Sequence, residues 1–303
     1  MTGASHVDLQ VNGYAGVDFN ADDLTAGQLH AACQRLRDDG VAGILATIIT
    51  DDLERMCGRL RRLAELRGAD DVTRTMILGL HIEGPFLNES AGYIGAHPPQ
   101  FARPADVAAM ERLREAGGGL VKLVTLAPER DSKLRVTRML ADSGIIVAAG
   151  HTDANMDQLR AALDAGLSMF THLGNGCPLL LPRHDNIVQR VLSLAGRFRA
   201  ISFIADGAHV PLFALGNYLR LVPQSHVVIV SDAISAAGLG PGRYTLAGQM
   251  VEIGQDLIPR APAGHLVGSA CPLWRMAENL RSIGIDAPTI RRWTGETPAL
   301  LLN

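Results

Sequence analysis

The stretch Met76-Ile-Leu-Gly-Leu-His-Ile-Glu83-Gly-Pro85 is an apolar run that ends on a carboxylate and breaks at a Gly-Pro pair. A short apolar run closed by turn formers reads as a buried strand. Three further runs end in the same way. Ile145-Ile-Val-Ala-Ala-Gly150 leads into His151, Ser168-Met-Phe-Thr leads into His172, and Val227-Val-Ile-Val-Ser leads into Asp232. Polar, metal-competent side chains recurring at the carboxyl ends of buried strands point to one mouth of one sheet.

Working outward, strands alternate with helices along the chain. Strands are expected at 6–12, 43–49, 76–83, 120–126, 145–150, 168–172, 200–205 and 227–232. Helices are expected at 25–38, with Thr25 as N-cap, and at 52–66, 104–116, 132–143, 156–165, 186–194, 211–221 and 272–283, with a last one from 288. Eight near-continuously apolar strands alternating with helices predict an α/β fold, the (β/α)8 TIM barrel. In a closed parallel barrel all strand ends meet on one rim, so distant residues converge there. A doubly wound open sheet is the alternative, but its strand ends lie in a line. The Gly-rich stretch 236–242 precedes a predicted strand pair, 244–252 with 256–267. This hairpin insertion, about 243–268, comes before the last barrel helix, and 1–303 reads as a single catalytic domain.

One carboxylate and two imidazoles, Glu83, His151 and His172, suit one borderline divalent metal. Zinc is the first expectation, with iron, manganese or cobalt compatible with the same donors. Asp232 is then expected to be the base that activates water. Composition narrows the partners. A net charge of −3 gives no global attraction to nucleic acid or an anionic membrane, and 4% aromatics leaves few stacking platforms. No apolar run reaches the length of a membrane span, and the N-terminus lacks the pattern of a secretion signal. Cys33, Cys57, Cys177 and Cys271 are widely spaced and read as free thiols of a reducing, cytoplasmic compartment.

Eight short stretches, in order, carry a resemblance. They are Val7-Asp-Leu-Gln-Val-Asn-Gly13, Gly79-Leu-His-Ile-Glu-Gly-Pro-Phe-Leu-Asn88, Val124-Thr-Leu-Ala-Pro128, Ala149-Gly-His-Thr152, Thr171-His-Leu-Gly-Asn-Gly176, Ala205-Asp-Gly-Ala-His209, Val230-Ser-Asp-Ala233 and Val267-Gly-Ser269. With them the chain resembles the N-acetylglucosamine-6-phosphate deacetylases of the amidohydrolase superfamily. The resemblance implies hydrolysis of a sugar acetamide to acetate and the amino sugar. It implies metal ligands at Glu83, His151 and His172, and a catalytic carboxylate at Asp232. It implies that His97 polarises the acetyl carbonyl, and that Asn175, the backbone of Gly176, and His209 contact the sugar and its phosphate. Arg183 falls where the family places an arginine that reaches the neighbouring subunit's substrate, which implies a homodimer.

Three departures modify the expectation. Where binuclear relatives carry His-x-His on the first strand, this chain has Gln10-Val-Asn12, and amides are poor zinc ligands, so one metal is expected. The small β-sandwich domain usual in the family is expected to be absent. The loop after His172 has Gly174 in place of a bulkier residue, and Arg183 is followed by His184-Asp-Asn186. That loop leaves open an unphosphorylated N-acetyl sugar or another small N-acyl amide as substrate. A two-metal superfamily hydrolase and a silent sugar-binding barrel are the remaining alternatives. His81 shares the face of Glu83 and is expected to support it, Asp153 and Asp206 to orient turns or histidines, and Lys122 to be an ordinary lysine.

Overall fold

The structure, a computed structural model, describes residues 5–246, 249–260 and 268–303. The eight parallel strands are β1 (His6–Val11), β2 (Val41–Ile49), β3 (Ile77–Glu83), β4 (Val121–Leu126), β5 (Ile146–Ala149), β6 (Met169–Phe170), β7 (Ala200–Phe203) and β8 (Val227–Ile229), hydrogen-bonded in chain order. The ring is joined at its seam by a parallel bridge between Val11 and Ala233 and by an amide bond from Asn12 to the Ala233 carbonyl at 2.7 Å. This is the expected barrel. The strands are buried on both faces because helices cover the outside and side chains fill the inside.

The helices are α1 (Ala26–Asp38), α2 (Leu53–Ala69), α3 (Asp71–Met76), α4 (Val107–Ala116), α5 (Arg135–Asp142), α6 (Met156–Asp164), α7 (Ile187–Ser193), α8 (Leu212–Leu221), α9 (Leu273–Ser282), α10 (Ala287–Arg291) and α11 (Thr297–Leu301). Thr25 caps α1 with a reciprocal capping box through Gln28, as its side chain allows, and Asn155 does the same for α6 through Gln158. The short α3 falls between the predicted helix 52–66 and the predicted strand 76–83, and takes Met76 from that strand. Asp70 nucleates it by accepting the Thr73 amide. No described helix is long and apolar enough to cross a membrane.

The insertion differs from expectation in register. The segment 244–252, read as one strand, is itself the hairpin: Gly242–Leu246 pairs antiparallel with Gln249–Ile253. The short strand Pro259–Arg260 adds to its edge. The predicted strand 244–252 carries a glycine, Gly248, in its interior, and an interior glycine weakens a strand. The remainder of the second predicted strand, 261–267, lies outside the described residues.

Polar residues inside the barrel are layered. On β1, Asp8 and Gln10 alternate inward, and Asn12 continues the series just beyond it. Asp8 accepts the Ser231 amide at 3.2 Å through both oxygens, tying β1 to β8. Across the middle, Thr47, His81, Thr125 and Thr171 form a buried chain with links of 3.2, 2.9 and 2.8 Å. Burial drops the His81 pKa to about 4, so it is a neutral part of the floor beneath Glu83.

Burial raises the Asp8 carboxyl to about 7 despite the Gln10 and Ser231 amides that donate to it. A raised folded pKa favours the protonated form. The stability this group contributes is therefore full below its unfolded value near 3.8 and lost as pH rises through about 7. Asp8→Asn keeps an acceptor without the charge. It is expected to raise stability by up to roughly 4 kcal/mol at pH 8 and to change little at pH 4. Thermal melts at the two pH values check this, and an equal difference at both would rule it out.

Candidate active site

Glu83 is the last residue of β3 and lies almost fully buried, at 2% exposure. A side chain on Gly84 would sit 2.0 Å from the Thr50 hydroxyl, so only glycine lets the chain turn here, at φ +90°. Around the Glu83 carboxylate, His172 Nε2 lies 3.2 Å and His151 Nε2 3.4 Å from Oε1, and His97 Nε2 lies 3.7 Å from Oε2. Gln10 donates to Oε1 at 3.0 Å. The rings of His97, His151 and His172 meet edge to face, with centroids 4.5 and 4.9 Å apart.

His151, His172 and Asp232 all have left-handed backbones, at φ 52°, 35° and 48°. Such conformations are costly for residues other than glycine and persist only where the surroundings impose them. Here each carbonyl is held from another position. Asn88 N–H reaches the His151 carbonyl at 3.0 Å, Asn175 reaches that of His172 with both its amides at 3.0 and 3.2 Å, and Ser269 N–H that of Asp232 at 3.3 Å. Glu129 fastens the turn after His151, accepting from Thr152 Oγ1, Asp153 N–H and Asn88 Nδ2. A side chain at Gly176 would press on the His151 ring at 3.0 Å.

Tautomers separate the histidines. His151 Nδ1 lies 2.7 Å from the Tyr93 carbonyl, which can only accept, so Nδ1 carries the hydrogen and Nε2 faces Glu83 with its lone pair. A lone pair facing a carboxylate at 3.4 Å is accommodated by a cation between them, a proton or a metal ion. His97 is opposite: its Nδ1 accepts the Thr50 amide at 3.3 Å, so Nε2 carries the hydrogen and donates. Burial and the neighbouring His151 push the His97 pKa down to about 3, keeping it neutral. Glu83, His97 and His151 each bring a ligand atom within 4.8 Å of the others. The tautomers nonetheless favour His172 over His97 as third ligand to a cation. Burial would raise the Glu83 pKa, yet the neighbouring imidazoles of His151, His172 and His97 hold it well below the usual carboxylate range. Burial would lower His172, and its bond to Glu83 raises it instead. The donor set of one ionised carboxylate and two imidazoles fits a divalent metal.

Asp232 stands beside this cluster. Burial first, then the Glu83 charge, raises its carboxyl above the ordinary value, while His172 and His209 pull the other way. Asn12 Nδ2 donates to its Oδ1 at 2.8 Å. Gln10 and Asn12 thus brace the two carboxylates where binuclear relatives would place histidines.

His209 follows β7, with Nδ1 2.6 Å from Asp206. Arg183 is exposed in the loop after β6 and is not brought to the cluster; it makes no hydrogen bond or ion pair among the described residues. Leu179 and Leu180 beside it are fully exposed. Arg190 fastens this loop, pairing with Asp185 and Asp153. Sequence reading missed Arg190, Glu129 and the amide of Thr50. Only Glu129 had a signal, its place in the Val124–Pro128 motif's wake.

The chain is 32% identical over 277 residues to the N-acetylglucosamine-6-phosphate deacetylase of Bacillus subtilis, an alignment covering 91% of this chain and 68% of that one. It is 31% identical over 297 residues to the N-acetylgalactosamine-6-phosphate deacetylase of Escherichia coli O157:H7, covering 97% and 73%. The chain belongs to the N-acetylglucosamine-6-phosphate deacetylase family. Its fold superposes with a TM-score of 0.86 on a Mycobacterium smegmatis N-acetyl-D-glucosamine-6-phosphate deacetylase variant solved with N-acetyl-D-glucosamine-6-phosphate, at 27% identity over 99% of this chain and 77% of that one. No family model matches the chain. The protein is therefore a hydrolase of the amidohydrolase superfamily, and its deacetylase family is metal-dependent.

Proposed function

We propose that this protein hydrolyses the acetamide of N-acetylglucosamine-6-phosphate, using one divalent metal, zinc by preference, held by Glu83, His151 and His172. The carrying observation is the His151 lone pair facing the Glu83 carboxylate at 3.4 Å, with His172 Nε2 at 3.2 Å from the same oxygen. When bound, such a metal supplies a Lewis acid that polarises the acetyl carbonyl and lowers the pKa of water from about 16 toward 7.

The residues of this chain supply the rest. Asp232, with one oxygen held by Asn12, takes the proton of the attacking water on the other and passes it to the departing nitrogen. Its raised pKa suits both halves of that task. His97, neutral and with hydrogen on Nε2, donates to the carbonyl oxygen as negative charge develops. Asn175, whose nitrogen holds the His172 carbonyl, turns its oxygen to a sugar hydroxyl. His209 and the backbone of Gly176 meet the phosphate. Arg183, on a loop tipped by exposed Leu179 and Leu180, reaches the substrate of a second copy in a homodimer. The location is cytoplasmic, where a charged sugar phosphate is retained by the membrane.

Acetate release from N-acetylglucosamine-6-phosphate, N-acetylgalactosamine-6-phosphate and free N-acetylglucosamine tests the reading, with metal content and solution mass of the same sample. The expected result is preference for the glucosamine phosphate, a dimer mass and about one metal per chain. Equal turnover of the free sugar would remove the phosphate assignment, and about two metals per chain would favour a binuclear hydrolase.

A further inference from the structure

Asp206 is engaged by nothing in the proposed chemistry, yet it is among the most constrained carboxylates near the rim. Its side chain is 5% exposed and that of His209 is 11% exposed. Asp206 Oδ1 accepts the amides of Ala208 and His209 at 2.9 and 3.0 Å, which fixes the carboxylate in its turn. Its other oxygen lies 2.6 Å from His209 Nδ1. His209 Nε2 makes no hydrogen bond to the described residues and is left for a ligand. Asn279 anchors the base of the same turn by donating to the Ala205 carbonyl at 2.9 Å.

We propose that Asp206 is a positioning residue for substrate binding, which locks His209 through Nδ1 so that Nε2–H meets the substrate's phosphate as a charged donor. This rests on the sugar-phosphate reading above. A donor that carries charge binds an anion about twice as strongly as a neutral one, and a fixed ring orients it. The charged groups around His209 support the same state. Burial lowers its proton affinity, but the bond and charge of Asp206 outweigh this, Asp232 adds to them, and His172 opposes. Asp206 itself, despite burial, is held below the usual carboxylate range by His209 and the two amides. Burial first, then the Asp206 charge, raises the Cys271 thiol.

Asp206→Asn separates charge from shape. The Asn oxygen can still accept both amides, and its nitrogen donates to His209 Nδ1, leaving a neutral ring with Nε2–H. For the variant, KM for N-acetylglucosamine-6-phosphate is expected to rise about tenfold with kcat within about twofold, and KM for the free sugar to stay put. In the wild type, KM should rise only as pH passes above the ordinary imidazole value, because a raised pKa keeps the proton longer. In D206N that rise should begin at lower pH. Nitrogen-15 spectra of the His209 ring follow the proton directly and need no substrate. A wild-type ring that is neutral at pH 7, or an unchanged KM and pH profile in a folded D206N, would overturn the inference. Equal losses on both sugars would also overturn it. Calorimetry with inorganic phosphate keeps this separate from the deacetylase reading: weaker binding by D206N supports the inference even if neither sugar is turned over, and equal binding overturns it.

Discussion

Asp232→Asn is expected to lower kcat for acetate release by about 10³-fold or more, with metal content and fold retained, since general acid–base catalysis supplies about 10² to 10⁴ and one group here serves both steps. The substitution is nearly isosteric, and Asn12 can still donate to the side-chain oxygen it now holds at 2.8 Å. The loss should therefore be one of proton transfer and not of architecture. The pH profile gives an independent check. Burial and the Glu83 charge raise the Asp232 pKa, so its proton returns at a higher pH than for an ordinary carboxylate. The wild-type rate should fall with acid in a limb displaced above the usual carboxylate range, as Asp232 protonates and ceases to accept. A purified D232N enzyme within about tenfold of wild type would exclude Asp232 as the base.

Much of this site is legible in sequence because barrels turn strand ends into neighbours. Glu83, His151, His172 and Asp232 each follow an apolar run, and the closed sheet converts that one-dimensional pattern into a cluster. The tautomers were not legible, since they depend on backbone partners. The Tyr93 carbonyl lies 58 residues from His151, and the Thr50 amide lies 47 residues from His97. No side-chain pattern announces a backbone group. The roles of Gln10 and Asn12 were half legible: amides are poor zinc ligands, but the engagement of these two with Glu83 and Asp232 required the seam of the barrel. The hairpin was misregistered because alternation alone does not locate a turn. Arg183 was read from its place in a motif. Among the described residues it has no hydrogen-bond or ion-pair partner.

Replacing a metal ligand should cost as much as replacing the base, and it decides between two possible ligand sets. Glu83→Gln or His151→Asn is expected to lower kcat/KM at least about 10³-fold and to abolish metal retention, because polarisation of the carbonyl is worth several kcal/mol. Glu83 and His151 belong to either set, so they do not discriminate. His172 and His97 do. With His172 as third ligand, His172→Asn should lose metal, shown by metal analysis after dialysis and by loss of the rise in melting temperature that added metal gives the wild type. His97→Asn should keep the metal and that thermal shift, while kcat falls about 10² to 10³-fold from the missing donor to the oxyanion. The reason for expecting this order is the Thr50 amide, which holds His97 Nδ1 at 3.3 Å and leaves hydrogen on the nitrogen that faces Glu83. For His97 to ligate through Nε2, that proton would have to leave and the Thr50 amide would lose its acceptor inside a buried strand end. The reverse outcome, metal lost from His97→Asn and kept by His172→Asn, would overturn the tautomer argument and move the metal toward the Glu83–His97–His151 face.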